Sequence, residues 1–148
     1  MAVLARNKQA LHDYHVLEEY EGGLVLTGAE VKAARQGHVQ LKGSFLSIER
    51  GELVVKNLFI GPYAPAGKQE DYEPTHTRKV LVHAKELKSL IGKSQTQGLT
   101  LVPISVYTKG NYVKLGFAVA RGKKLYEKRD LLKKIDDEKR MRTALREM

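Results

Sequence analysis

Short apolar runs that end at glycine or at a polar turn are the feature that most constrains this fold. Val, Ile and Leu dominate these runs, and Arg50-Gly51 and Lys109-Gly110-Asn111 separate neighbouring ones. Such runs predict β-strands, and two runs joined by a short polar turn predict a hairpin. Gly22-Gly23 interrupt the first run and predict a bend in its strand. The predicted strands are 16–26, 45–49, 52–60, 99–107 and 112–120.

Two segments have the pattern of helices. Residues 28–37 form a short helical segment that Gly37 stops, and residues 83–93 repeat apolar side chains at helical spacing. Residues 61–77 hold three of the four prolines and almost no aliphatic side chains, which predicts a surface loop. The second helix therefore lies between the two predicted hairpins.

This order of elements predicts a mainly β fold. A chain of 148 residues is expected to bury a single core, and this length disfavours two full domains. Five strands with a helix between the third and fourth strands give the order of the oligonucleotide- and oligosaccharide-binding (OB) architecture. We predict an OB-type closed barrel of five to six strands with short peripheral helices, spanning residues 1–120. Other small mixed barrels share this order.

The net charge of +9 is unevenly distributed along the chain. Residues 121–148 contain 11 basic and 6 acidic side chains, whereas residues 1–120 contain 15 and 11. A positive excess favours a polyanionic partner, because contacts to phosphates release condensed counterions. Nucleic acid is the first candidate, and a basic surface that only keeps the domain soluble is the alternative. A membrane surface is disfavoured, because Tyr126 is the only aromatic anchor in residues 121–148.

Residues 121–148 have too few apolar side chains to fold alone. Leu131, Ile135, Met141 and Leu145 form a thin stripe on a helical wheel and are interleaved with charges. We predict a basic C-terminal tail that is disordered when free and helical on a partner. A solvated helix packed against the barrel is the alternative.

No motif in the sequence supports catalysis or a cofactor. The absence of Cys excludes disulfides, thiolate zinc sites and thiol nucleophiles. Residues 91–94 are similar to the end of a phosphate-binding loop, but Leu87 stands where that loop needs glycine. His12, Asp13 and His15 are conceivable metal ligands, yet capping or packing is the commoner role of such residues. We expect a protein that is not an enzyme and has no cofactor and no metal.

The sequence also bears on location. The first 15 residues lack the apolar core of a secretory signal, and no segment approaches the ~20 apolar residues of a membrane span. We therefore expect a cytoplasmic protein with no membrane partner.

Basic side chains alternate with aromatic and hydrogen-bonding groups in the predicted barrel. They occur at 7–8, 12–14 and 78–79, and at Lys114 near Tyr112. These residue types serve contacts to phosphates, 2′-hydroxyls and unpaired bases. Because no recognition helix for duplex DNA is apparent, we predict RNA rather than DNA as the partner.

Four blocks of sequence carry a resemblance to a known family. They are "NKQALHDYHVLEEYEGGLVLTGAEVKAARQG" (7–37), "EPTHTRKVLVHAKEL" (73–87), "GLTLVPISVY" (98–107) and "ARGKKLYEKRD" (120–130). In this order and spacing they resemble the SsrA-binding proteins, the small protein B family that partners transfer-messenger RNA. The similarity spans nearly the whole chain.

The resemblance implies an OB-type barrel that binds the tRNA-like domain of transfer-messenger RNA. Members of the family enter stalled bacterial ribosomes with the alanine-charged RNA and elongation factor Tu. They permit trans-translation, which rescues the ribosome and tags the incomplete protein. We expect the C-terminal tail to occupy the empty messenger channel, chiefly against small-subunit RNA.

The resemblance also implies site residues. RNA-binding positions of the family match Asn7, Glu21, Leu81 and Lys114, and His12 and Arg78 lie beside them. The matching positions of the tail are Gly122, Lys123, Lys124, Lys128 and Arg129.

Chemistry suggests a role for each candidate in the barrel. We expect Lys8, Arg78 and Lys114 to contact phosphates. His12 and Asn7 could donate hydrogen bonds to phosphate, a 2′-hydroxyl or an unpaired base. Glu21 is expected to accept from a base edge or to hold a cationic side chain in place. Leu81 either contacts an exposed base or belongs to the core.

Two other functions remain open at this point. A general OB-type RNA-binding or ribosome-associated protein without a rescue role is the first. An enzyme acting on RNA is the second, and it has no positive support in the sequence.

Overall fold

The computed structural model describes residues 2–63 and 71–122. These residues form a mainly β fold with three short helices. The elements in chain order are β1 (Val3–Arg6), α1 (Lys8–Asp13), β2 (Tyr14–Leu24), α2 (Gly28–Arg35), β3 (Val39–Gln40), β4 (Phe45–Glu49), β5 (Glu52–Lys56), β6 (Phe59–Ile60), β7 (Arg78–Leu81), α3 (Ala84–Ser94), β8 (Leu99–Lys109) and β9 (Tyr112–Gly122).

Seven strands form one antiparallel sheet in the order β1-β8-β9-β2-β7-β5-β4, and β3 pairs with β6 in a separate ribbon. This sheet is not closed, so the prediction of a closed barrel is wrong in that respect. β1 pairs only with the second half of β8, from Ser105 to Tyr107. The first half of β8 faces β4 across a groove lined by Leu46, Ile91 and Leu99, where no strand pairing forms.

The strand count also exceeds the five to six that were predicted. β1, β3, β6 and β7 are two to four residues long, which is too short to show a period-two pattern in the sequence. β7 lies in residues 78–82, between the predicted loop and the predicted helix, where the sequence predicts no strand. As a result α3 lies between the seventh and eighth strands of the chain rather than between the third and fourth.

Both predicted hairpins are present. β4 and β5 pair from Phe45–Lys56 to Glu49–Glu52. The two turn residues, Arg50 and Gly51, have φ of 52° and 76°, as a type I′ turn requires. β8 and β9 form the longer hairpin, closed by the pair Lys109–Tyr112.

The predicted bend at Gly22-Gly23 is where β2 changes partners. β2 pairs with β9 from Tyr14 to Gly23 and with β7 at Gly23 and Leu24. A Cβ atom at Gly22 would lie only 2.5 Å from a methyl carbon of Val80 and 3.2 Å from the carbonyl oxygen of Leu81. Glycine therefore allows β7 to approach β2 closely.

Helix α2 has clear sequence signals at both ends. Thr27 and Glu30 form a capping box at its start, and Gly37 follows its end with φ of 86°. Its inward face carries Ala33 and Ala34, which are fully buried and belong to the main core. The predicted segment 28–37 is thus confirmed as a helix, with its last turn ending at Arg35.

The core is built from the inward faces of the sheet, from the β3–β6 ribbon and from α2 and α3. Its fully buried side chains include Leu53, Leu58, Ile60, Leu90, Leu115 and Phe117. Glu30 and Arg78 are also buried in it. Among residues 2–63 and 71–122, no helix is long and apolar enough to cross a membrane.

Candidate nucleic-acid interface

Two adjoining grooves flank residues 19–21 of β2. The Asn7 groove has a volume of about 510 Å³ and is lined from β1, α1, β2, β8 and β9. The Lys114 groove has a volume of about 630 Å³ and is lined from β2, β7, α3 and β9. Both grooves are lined by Glu19, Tyr20 and Glu21. Five of the predicted site residues line them: Asn7, Lys8, Glu21, Leu81 and Lys114.

Lys114 and Leu81 converge over Gly23. A Cβ atom at Gly23 would lie 3.9 Å from Nζ of Lys114 and 3.9 Å from Cβ of Leu81. The register explains this, because Gly23 pairs with Lys114 on one side and with Leu81 on the other. Nζ of Lys114 also lies 5.7 Å from the ring centroid of Tyr112, a cation–π distance. A cation and an apolar side chain therefore share one site.

Leu81 is exposed because the buried positions of β7 are the first and the third. Arg78 and Val80 point inward, whereas Lys79 and Leu81 point outward. Leu81 is 54% exposed, so the alternative that it belongs to the core is wrong. A leucine in this position offers an apolar contact next to Lys114 in the groove.

Arg78 is buried, and its predicted phosphate contact requires correction. Its five N–H donors reach Glu30, the hydroxyl of Tyr72 and the carbonyl oxygens of Leu58, Pro74 and His76. Nη2 lies 2.6 Å from the Glu30 carboxylate, and neither side chain is exposed by more than 2%. All donors of the guanidinium are occupied inside the protein. Arg78 therefore has a structural role in this conformation.

Glu30 is ionised within this buried cluster. Burial by itself raises the pKa of Glu30, but hydrogen bonds from the Thr27 backbone, Arg78 and His76 outweigh burial and lower that pKa to about 2. The Tyr72 hydroxyl lies 3.1 Å from the same carboxylate and 2.7 Å from the carbonyl oxygen of Ile60. The cluster thus ties residues 72–78 to α2 and β6, although sequence analysis predicted only a surface loop there.

Glu21 stands at the boundary of the two grooves and is held by neighbours on β8. It accepts hydrogen bonds from the Tyr107 hydroxyl and from Nζ of Lys109, the latter at 3.3 Å. The bond from Tyr107 is the largest cause that lowers the pKa of Glu21, and Lys109 and Lys114 act in the same direction. Burial and Glu21 together raise the pKa of Tyr107. Glu21 is therefore a carboxylate and Tyr107 a neutral donor near pH 7.

Asn7 caps α1 and is engaged within the protein. Its Oδ1 accepts from the Ala10 backbone at 3.3 Å, and its Nδ2 donates to the carbonyl oxygen of Pro103 at 3.0 Å. These bonds fix the start of α1 on β8 and present the exposed Lys8 at the groove. His12 is exposed, with Nδ1 2.9 Å from Asp13, and it lines neither groove.

The tail candidates fall mostly outside the described residues. Gly122 is the last residue of β9 and pairs with Tyr14 at the start of β2. Lys123, Lys124, Lys128 and Arg129 lie beyond residue 122, and the predicted state of the tail stays a prediction.

Sequence reasoning missed several residues of the grooves. Arg6, Tyr107 and Gly116 were not predicted as site residues, although all three line the Asn7 groove. The closing pair of the second hairpin was the available signal, because Lys109 opposite Tyr112 places Tyr107 opposite Lys114. Within residues 2–63 and 71–122, no three His, Cys, Asp or Glu side chains are grouped so that they could hold a metal ion.

Comparison with known proteins decides the family. A family model described as "SmpB protein" matches residues 4–147. The chain belongs to this family. The resemblance seen in the four sequence blocks is thereby confirmed.

Individual relatives are similar in sequence to this chain along most of their length. An SsrA-binding protein of Carboxydothermus hydrogenoformans is 46% identical over 144 residues, which cover 97% of this chain and 96% of the relative. An SsrA-binding protein of Sulfurihydrogenibium sp. (strain YO3AOP1) is 50% identical over 134 residues, covering 90% and 88%. A chain in a solved structure described as "tmRNA-SmpB: a journey to the center of the bacterial ribosome" is 46% identical and has a TM-score of 0.66, covering 82% of this chain and 85% of that chain.

Proposed function

We propose that this protein binds the tRNA-like domain of transfer-messenger RNA and delivers it to stalled ribosomes for trans-translation. Relatives similar over almost the whole chain are SsrA-binding proteins, and a similar solved chain belongs to a tmRNA-SmpB structure on the bacterial ribosome. The protein would act by binding and positioning RNA, not by catalysis.

The observation that carries this proposal is the convergence of Lys114, Leu81 and Glu21 around the Lys114 groove. Lys114 supplies charge for a phosphate, Leu81 supplies an apolar contact for a base or sugar, and Glu21 supplies an acceptor for a donor edge. A site that combines these three chemistries suits folded RNA with unpaired nucleotides, because a bare phosphate backbone needs only cations.

We infer that the ribosome is engaged separately, through the basic tail. In this proposal Lys123, Lys124, Lys128 and Arg129 lie against small-subunit RNA in the messenger channel, and Gly122, the last residue of β9, is where the tail begins. A messenger that fills the channel would exclude the tail, so the protein would act only on ribosomes with an empty channel. Elongation factor Tu would be an indirect partner, bound to the alanine-charged RNA. The protein would act in the cytoplasm.

We also assign the sheet to the OB type as a proposal. Its strand order brings β1, β8, β9, β2, β7, β5 and β4 around one core, and the candidate site lies on strands rather than on a helix. OB folds bind oligonucleotides on the surface of their strands. The open gap between β4 and β8 is compatible with a partly open form of that barrel.

Sequencing the RNA that co-purifies with the full-length protein from cells tests the proposed function. We expect one dominant transfer-messenger species, and we expect replacement of Lys114 by Glu to deplete it. Lys42→Glu is the matched control, because Lys42 is exposed and lines neither groove.

The same experiment separates the competing functions. A broad mixture of RNAs bound equally by both variants would indicate a general RNA-binding protein. Ribosomal RNA alone would indicate a ribosome-associated protein without a rescue role. Either result contradicts the proposal.

A further inference from the structure

The Asn7 groove lies over one row of the sheet whose two ends carry opposite charges. Arg6 of β1 pairs with Ser105 of β8, Ser105 pairs with Gly116 of β9, and Gly116 pairs with Glu21 of β2. The row therefore runs from a guanidinium, across two small residues, to a carboxylate. The small residues leave room above the middle of the sheet.

Tyr107 lies across this row at Gly116. A Cβ atom at residue 116 would be 3.3 Å from Cε1 of Tyr107 and 2.9 Å from Oγ of Ser105. Glycine thus leaves the space that the ring occupies. The Tyr107 hydroxyl donates to Glu21, which anchors the far end of the ring. The ring is half-buried, so it gives the groove a fixed aromatic surface.

The charges at the two ends specify the orientation of an occupant. Lys8 is exposed and lines the groove together with Arg6, so this end attracts a phosphate. Glu19 lies two residues from Glu21, and successive alternate residues share one face of a strand. Both glutamates line the groove. Lys109 donates to Glu21 but does not line this groove, so the groove itself presents two carboxylates at this end. A phosphate is disfavoured there, and a group that donates hydrogen bonds is favoured.

Among the four RNA bases, guanine fits this acidic end best. Its Watson–Crick edge presents two adjacent donors, N1–H and N2–H, which match the two oxygens of one carboxylate. Each oxygen of Glu21 already accepts one hydrogen bond, from Tyr107 or from Lys109, and keeps a second lone pair for such a donor. Adenine and cytosine place an acceptor beside their donor, and uracil places an acceptor on each side of its donor. A carboxylate can therefore accept only one hydrogen bond from each of these three edges, against two from guanine.

We propose that the Asn7 groove binds one unpaired guanine nucleotide of the bound RNA. The base stacks on Tyr107 with its Watson–Crick edge toward Glu19 and Glu21, and its phosphate lies toward Arg6 and Lys8. This subsite rests on the proposed RNA-binding function and adds base specificity to it. The volume of about 510 Å³ lies within the roughly 300–1,000 Å³ of small-ligand sites.

Kethoxal probing of a tRNA-like-domain transcript tests the subsite, because kethoxal reacts with N1 and N2 of unpaired guanines. We expect the full-length protein to protect one unpaired guanine. Glu21→Gln replaces one of the two acceptor oxygens by an NH2 donor, and Gly116→Ala places a methyl group against Oγ of Ser105 and Cε1 of Tyr107, so each should restore the reactivity of that guanine. Glu52→Gln, an exposed glutamate on β5 outside both grooves, is the matched control and should keep the protection.

A change in the RNA tests the same contact without altering the protein. Replacing the protected guanine by inosine removes the N2 donor and should weaken binding of the unaltered protein by about tenfold or more, as expected for a lost bidentate base contact. The same replacement should cost the Glu21→Gln variant much less.

Each outcome decides the proposal. Binding without any protected guanine, protection that survives in both variants, or equal affinity for the inosine transcript overturns the guanine subsite and leaves the proposed function standing. Failure of the full-length protein to bind the transcript at all overturns the proposed function, and the subsite with it.

Discussion

At the scale of single residues, side chains of the same chemical type have different roles in this protein. Lys114 lies at a groove over Gly23, whereas Arg78 is buried with every donor engaged. Both were expected to contact phosphates. Their difference follows from strand alternation, because the inward positions of β7 are Arg78 and Val80. A cationic side chain is thus informative only when its position in the strand is known.

Lys114→Glu should weaken binding to the tRNA-like domain by losing one phosphate contact. The slope of log affinity against log salt concentration should fall by about one, because one fewer counterion is released. Filter binding over a salt series measures this slope. Lys42→Glu has the same change in net charge and should leave the slope nearer its original value. Equal slopes for all three proteins would remove Lys114 from the interface.

Arg78→Met should destabilise the fold without altering the RNA contacts. It leaves the buried Glu30 carboxylate without its cation, a change that typically costs about 3–5 kcal/mol. Urea unfolding measures the loss. Lys79→Met is the control, because Lys79 is exposed and forms a surface ion pair with Glu52. A stable Arg78→Met variant that lost RNA affinity would contradict the structural role.

Ionisation of Glu30 should make the free energy of unfolding depend on pH in the acid range. Its pKa is about 2 in the folded protein against an ordinary value of 4.5. A lowered folded pKa contributes stability that is complete above 4.5 and is lost as the pH falls toward 2. The stability gap between the unaltered protein and Glu30→Gln should therefore be widest above pH 4.5 and narrow below it. Urea unfolding across this range tests it, and a gap that stays constant would contradict the assignment.

At the scale of elements, the contact of β2 with β7 brings the two halves of the Lys114 groove together. Gly22→Ala places a methyl group 2.5 Å from a side-chain carbon of Val80, so the strands must separate. We expect a loss of about 1–3 kcal/mol and weaker RNA binding, because Leu81 moves away from Lys114. Gly92→Ala, in α3 with nothing within 4 Å, should instead stabilise by about 0.5–1 kcal/mol. Thermal unfolding of both variants measures these opposite signs.

The long elements could be predicted from sequence, and the short ones could not. Gly37 ended α2, and Arg50-Gly51 fixed the first hairpin, because both positions have a positive φ that few residues adopt. β7 was missed because Arg78, which opens it, is charged, and a charged side chain in an inward position breaks the apolar alternation. The burial of Glu30, which requires a cationic partner such as Arg78, is visible only in the structure.

The candidate site was predictable by chemistry but not by geometry. Family resemblance identified Glu21, Leu81 and Lys114, yet their convergence depends on registers that link β9, β2 and β7. Tyr107 and Gly116 were invisible because their roles exist only once β8 and β9 are paired. Closure of the barrel was overestimated, since the order of elements does not specify whether β4 reaches β8.

At the scale of the whole molecule, RNA binding by the folded body, residues 1–122, should be separable from the function of the tail. Truncation after Gly122 keeps every pair of β9 with β2 and removes residues 123–148. We expect the truncated protein to retain its affinity for the tRNA-like domain and to lose tagging of stalled products. Gel-shift and reconstituted translation assays measure the two activities. If both were lost together, the division between body and tail would be wrong.

The pairing of β9 with β2 also sets a distance. Lys114 lies opposite Gly23 at one end of this ladder, and Gly122 lies opposite Tyr14 at the other. Eight residues of strand span roughly 26 Å at the usual rise. Gly122 is therefore held at this spacing from the Lys114 groove by two hydrogen-bonded strands. If RNA binds at the groove and the tail binds the ribosome, as we propose, this ladder is the rigid spacer that sets the distance between the two contacts.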